Sequence, residues 1–203
     1  RSALLSLNAM MPRLARRLPL LTGGWRDGPA RHRTMSDAIA WSHDLLTIEE
    51  QSLFRRLAVF DGGFSLAAAE HVAGNAEHET LAGLAALTAQ HMIGRVACVG
   101  DEPRFAMLET IREFALERLD ESGEALELRV RHAVWCLELA EAAEPALLGP
   151  DQISWLDVLE AEIFNFRAAL EWLRATGDAE RGLRLAAALW TFWVVHDRAP
   201  EGR

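Results

Sequence analysis

Lysine and tyrosine are both absent from the 203 residues, so all 21 basic side chains are arginines. The missing lysine excludes whole classes of chemistry. A Walker-type phosphate loop needs an ammonium that reaches the β- and γ-phosphates, and Schiff-base catalysis needs a lysine amine. The bias itself, with alanine and leucine abundant, reads as the mark of a high-GC coding sequence. Cysteine is scarce: Cys98 and Cys136 have no partner at redox-motif or zinc-ligand spacing, so two reduced thiols are expected. No apolar run approaches the roughly 18 residues of a membrane span. Arg13, Arg16 and Arg17 follow the apolar stretch 3–11 instead of preceding it, the wrong order for a signal peptide. A cytoplasmic location away from membranes is expected.

What is present points to a packed, helical chain. Half of the residues are hydrophobic, ample for the core of one large domain or two small ones. The net charge of −9 is unevenly spread. Residues 1–34 hold seven arginines against one aspartate, residues 35–115 five against twelve acids, and residues 116–203 nine against seventeen. Such a basic head on an acidic body suits either a meeting with an anionic surface or an exposed, solvated arginine-rich segment. The chain begins at Arg1 without methionine, which reads as an excised portion of something longer.

Leu4, Leu7, Met11, Leu14 and Leu18 recur at three- and four-residue steps, the mark of one buried helical face, and Pro12 breaks this segment or opens a second short helix as its first residue. Thr22-Gly23-Gly24 and Asp27-Gly28-Pro29 then read as a linker. Thr34 can cap a helix over 35–46, and Thr47-Ile48-Glu49-Glu50 is a capping box opening the next helix. Asp61-Gly62-Gly63 ends that helix. Ser65 can cap a short helix to about Val72, residues 74–78 read as a loop, and 80–91 read as a fourth helix. Two apolar runs, 92–99 and 104–108, flank the turn Gly100-Asp101-Glu102-Pro103 and predict a β-hairpin, followed by a helix over 109–119. Several helices and then a small hairpin is the layout of a winged helix. Beyond Glu121-Ser122-Gly123 the pattern predicts helices over 125–144, 151–160, 162–176 and 179–196. The fold class is therefore mostly α: a winged-helix domain over 35–122, then an antiparallel array of the tetratricopeptide (TPR) kind over 123–203.

Four stretches carry a family resemblance: Arg31–Met35 with Ala40–Leu46; Glu50–Phe60 with Gly62-Gly63-Phe64; Phe105–Ala115; and Ala168–Trp172 through Ala186–Trp190. Together they resemble STAND-type signalling ATPases, in particular the large LuxR-type, NB-ARC-like bacterial transcriptional regulators. The resemblance implies that residues 1–34 are the tail of a nucleotide-domain lid and a basic linker. It further implies a partner in the protein's own upstream nucleotide-binding domain, where ATP or ADP would sit, with no cofactor in this piece. The helical array would read an unidentified inducer or protein partner. Relatives of that family carry Met-His-Asp after the wing, where this chain has Met107-Leu108-Glu109. An alkyl side chain cannot replace the histidine's phosphate contact, and Arg31 or Arg33 is the candidate substitute.

No catalytic constellation is expected. Ser42-His43-Asp44 has the residue types of a triad, but neighbours on a helix point about 100° apart. His71, His78 and His91 lack metal-ligand spacing. The paired acids Glu49-Glu50, Asp101-Glu102 and Glu160/Glu162 suit caps, turns and solvated faces. Phe192 and Trp193, on an apolar final helix, are the candidate interaction surface. A regulatory and protein-interaction role is the main expectation, and a winged-helix DNA-binding domain the alternative. Direct DNA binding is expected to be absent, because the helix before the wing carries no arginine and the wing only Arg95 and Arg104.

Overall fold

The structure is a computed structural model and describes residues 35–74, 77–100 and 102–198. The Leu4–Leu18 face, the linker with Arg31 and Arg33, the Thr34 cap and residues 199–203 lie outside the described residues. Met35–Asp44 forms α1 and Ile48–Arg56 forms α2. Thr47 opens α2 as its sequence dictates. Its hydroxyl accepts from the Glu50 amide at 3.3 Å, and the Glu50 carboxylate accepts from the Thr47 amide at 2.8 Å. A 3₁₀ turn, Leu57–Val59, leads to the glycine pair, and Phe64–Ser65 then forms a very short strand, β1. Ser65 accepts from the Ala68 amide and so caps α3, Leu66–Ala73, which stops at Gly74 in the left-handed region. Then come α4 (Glu77–Ala89), β2 (Gly94–Val99), β3 (Glu102–Ala106) and α5 (Glu109–Ser122).

The expected hairpin is present and gains a third strand. The sheet order is β1-β3-β2, all antiparallel, with Phe64 opposite Phe105 and an irregularity between Val96 and Val99. Only glycine permits this closure at position 63. Its φ is +121°, and a Cβ there would lie 2.9 Å from the Phe105 carbonyl oxygen. Five helices, α1 to α5, a short strand and a wing thus enclose one core in which Phe54, Phe64, Leu84 and Leu119 are sealed from solvent. Each such side chain contributes about 1.5–3 kcal/mol by burial.

Helix α6, Ala125–Ala143, continues from this core into a second one. Leu128 belongs to the first, Ala133, Cys136 and Leu137 to the second, and Trp135 touches both. A 3₁₀ segment, Glu144–Leu148, follows, then α7 (Gln152–Ala161), α8 (Ile163–Thr176), α9 (Ala179–Ala188) and α10 (Trp190–Arg198). Helices α8 and α9 pack on α6, whose other side meets α3. The single helix expected over 179–196 is two, with an irregularity at Leu189. The break is slight, because Leu189 still bonds back to Leu185 and Trp193 to Leu189.

Candidate nucleic-acid interface and the junction behind it

Helix α4 is held at Thr80, Leu84 and Leu87, which are all fully buried. That anchoring turns the stripe His78, Ala82, Ala85 and Ala89 outward, and all four are exposed. Gln90 and His91 continue past the helix end, with His91 in the left-handed region at φ 57°. Arg95 stands exposed on β2 beside them in the sequence. The helix carries Glu77 and Glu79 in its first turn, on either side of this stripe instead of along it. Among the described residues the acid of the wing is also engaged: a Glu102 oxygen accepts from the Ala67 amide at the start of α3.

Arg104, counted with Arg95 as a wing arginine, faces the other way. It is 6% exposed and ion-paired with Glu162, itself 1% exposed, while its second nitrogen donates to the Ala161 carbonyl. Glu162 is thus no solvated acid. Asn165 completes the junction. Its side-chain nitrogen donates to the Gly63 carbonyl at 2.8 Å and to Glu162 at 2.6 Å, and its oxygen accepts from the Asp61 amide at 2.8 Å. That oxygen also lies 3.2 Å from His132 Nε2, which must therefore carry the proton. Burial pushes His132 down to about 4, although Asn165 pulls the other way. Burial likewise raises the Glu162 carboxyl, against the pull of Arg104 and Asn165. The wing strand, the β1 turn and α6 are thereby tied to the α7–α8 corner by one connected polar network.

The remaining candidates are dispersed. His43 lies 3.6 Å from Asp44, but Ser42 donates to the Ala38 carbonyl four residues back, so no relay forms. His43 instead packs on the rings of Phe54 and Phe114. No cluster of metal-ligating side chains occurs among the described residues, and no helix there is long and apolar enough to cross a membrane. Cys98 is exposed, while Cys136 is buried and its thiol pushed up by that burial. Leu108 is exposed at the start of α5, with no polar atom to offer a phosphate. Phe192, expected on an interaction surface, lies inside the second core, and Trp193 is half-buried against that core. The exposed aromatic of α10 is Trp190. Periodicity identifies an apolar helix without saying which residues its neighbours cover.

Residues 46–120 match the family described as winged helix-turn-helix domain. A protein of Mycobacterium tuberculosis named putative HTH-type transcriptional regulator is 39% identical over 188 residues, covering 90% of this chain and 21% of that protein. Its namesake in Mycobacterium bovis matches to the same extent. An uncharacterized protein of M. tuberculosis is 35% identical over 117 residues, 54% of this chain and 28% of its own length. No solved structure matches. The chain thus spans about a fifth of the regulators it resembles.

These matches overturn the expectation that this chain makes no direct contact with DNA. The expectation rested on the absence of arginine before the wing and on only Arg95 and Arg104 within it; Arg104 is buried, Arg95 is exposed, and the acids of α4 flank its outward stripe. The relatives' names speak of transcriptional regulation, and nothing in the matches shows the signalling-ATPase family. Residues 46–120 are a winged helix-turn-helix domain, in a chain similar over most of its length to HTH-type transcriptional regulators.

Proposed function

We propose that this chain is the winged-helix portion of a DNA-binding transcriptional regulator working in the cytoplasm. The observation that supports it best is the outward stripe of α4, followed in the sequence by an exposed wing arginine, in a domain that matches the winged helix-turn-helix family. In this reading α4 enters the major groove. Ala82, Ala85 and Ala89 meet thymine methyl groups, Gln90 is placed for an adenine edge, and Arg95 holds a phosphate. With so few cations the affinity of this portion alone is weak and only mildly salt-dependent. The rest of a longer regulator would add to it by multivalency.

The test is fluorescence anisotropy of a labelled duplex titrated with the chain between 25 and 200 mM salt (order-of-magnitude range). Binding is expected, with a log–log salt slope of about −1 to −2. Arg95→Ala should make that slope shallower by about 1. No binding at the lowest salt overturns the reading.

A second reading is favoured by the buried junction alone. There the helical unit serves as a sensor arm, and its state reaches the wing through Glu162 and Asn165. Wing-strand hydrogen exchange in Asn165→Ala is the measurement for it. Unchanged exchange at β3 removes its basis.

A further inference from the structure

Helix α4 ends in a motif that the fold builds twice. The Met92 amide donates to the Leu87 carbonyl at 2.9 Å, five residues back, and the His91 amide donates to the Thr88 carbonyl at 3.1 Å. Helix α8 ends in the same pair of bonds: the Asp178 amide donates to the Leu173 carbonyl at 3.0 Å and the Gly177 amide to that of Arg174 at 3.4 Å. In this motif the first residue past the helix takes the left-handed conformation, where a Cβ crowds the backbone and glycine avoids the crowding. Gly177 fills the position at α8, and Gly74 and Gly123 likewise follow α3 and α5, all with φ between 71° and 77°. At α4 the residue is His91, at φ 57°. It is the one non-glycine with positive φ among the described residues.

No contact within the fold accounts for the imidazole. Met92 and Ile93, the next two residues, are buried and anchor the turn. His91 itself is exposed, and its ring makes no hydrogen bond, ion pair or ring contact among the described residues. Backbone strain that the fold does not require is a mark of functional positions. The place narrows the function: His91 follows the outward stripe of α4 and Gln90, and stands four residues before the exposed Arg95.

We propose that His91 is a DNA-backbone contact whose imidazole donates to a phosphate at the edge of the groove that α4 enters; this rests on the DNA-binding reading above. The helix end itself is poorly suited to a phosphate, because a helix C-terminus carries about half a negative charge. Glycine would leave that end bare. An imidazole offers one N–H donor when neutral and two when protonated, so it supplies the donor that the helix end lacks. Histidine, asparagine and aspartate are the side-chain-bearing residues enriched in the left-handed region, and of these aspartate would repel the phosphate.

The test compares wild type, His91→Gly, His91→Asn and Arg95→Ala by anisotropy on two duplexes of unrelated sequence, with thermal melting of each protein. His91→Gly is expected to melt about 2–4 °C higher, because the strain is relieved. It should nevertheless bind both duplexes about 3- to 10-fold more weakly. His91→Asn tolerates the same φ and keeps an N–H donor, so it should retain most of the affinity. Wild-type affinity in His91→Gly overturns the proposal. A loss confined to one duplex also overturns it, since that marks a base-edge contact. A lower Tm in His91→Gly does the same, by making the imidazole a structural cap. Failure of the DNA-binding reading looks different: wild type then binds neither duplex, and the proposal falls with it. Weakened binding in Arg95→Ala beside unchanged binding in His91→Gly overturns this inference alone.

Discussion

Arg104 of the wing and Glu162 of the helical unit form an ion pair from which solvent is almost wholly excluded. Fifty-eight positions separate them in the chain. A buried pair of this kind adds little over well-packed apolar residues, but losing one partner strands the other. Glu162→Leu or Arg104→Met alone should therefore cost about 3–5 kcal/mol. The double variant should recover most of that loss. Urea unfolding of the four proteins at neutral pH measures the cycle, and single variants with near-native stability would show that the charges are solvated.

His132 gives the junction a pH dependence of predictable sign. Its folded-state value is depressed to about 4 by burial, while the unfolded chain titrates at an ordinary 6.5. The unfolded state binds the proton first as pH falls. Stability from this site is complete above about 6.5, declines at up to about 1.4 kcal/mol per pH unit, and is lost by about 4, a total of roughly 3 kcal/mol. His132→Gln should flatten that part of the stability profile between pH 7 and 4.5. Equal pH dependence in wild type and variant would rule His132 out as the source.

Much of the scaffold was legible in the sequence because its signals are local. Thr47 and Glu50 cap each other over three residues, Ser65 caps α3, and the apolar runs around Gly100 form the wing. Strand β1 was not legible, since Phe64–Ser65 is too short to show an alternation. The junction was harder still. Nothing near Glu162 in the sequence sets it apart from Glu160, and only tertiary contact with Arg104 makes it a buried group. The outward stripe of α4 was not legible for a related reason: it follows from the helix phase, fixed by burial of Thr80, Leu84 and Leu87, which also sets Glu77 and Glu79 to either side.

Two adjacent glycines separate backbone need from side-chain crowding. At Gly63 an added Cβ meets a backbone oxygen at 2.9 Å and the φ of +121° is hostile to any side chain. At Gly62, φ +78°, the Cβ meets the half-exposed side chain of Phe164 and no backbone atom. Gly63→Ala should cost about 2–4 kcal/mol and Gly62→Ala about 1. For a chain of this size that is a loss of roughly 4–16 °C in Tm against 2–4 °C. A reversed order in melting experiments would mean that β1 does not close on β3 as described.

Asn165→Asp tests the polarity of the network more sharply than truncation does. The native amide nitrogen donates to the Gly63 carbonyl and to Glu162, whereas the amide oxygen accepts from the Asp61 amide and from His132. An aspartate keeps the accepting side but turns a second oxygen toward a carbonyl and a carboxylate, with no hydrogen between them. The arrangement is relieved if the folded variant takes up a proton, either on the new carboxyl, which then donates as the amide did, or on His132, which then pairs with it. In both cases the variant's folded state binds a proton that the wild-type folded state does not. A site whose folded pKa is raised contributes most at low pH and loses that contribution as pH rises. The variant should therefore be several kcal/mol less stable than wild type near pH 8, and the gap should narrow as pH falls toward 5. Where the proton goes to His132, the variant also escapes the loss that the wild type suffers through that residue, which adds to the narrowing. Parallel melting curves of the two proteins from pH 8 to 5 measure it, and a constant difference would place Asn165 outside the buried network.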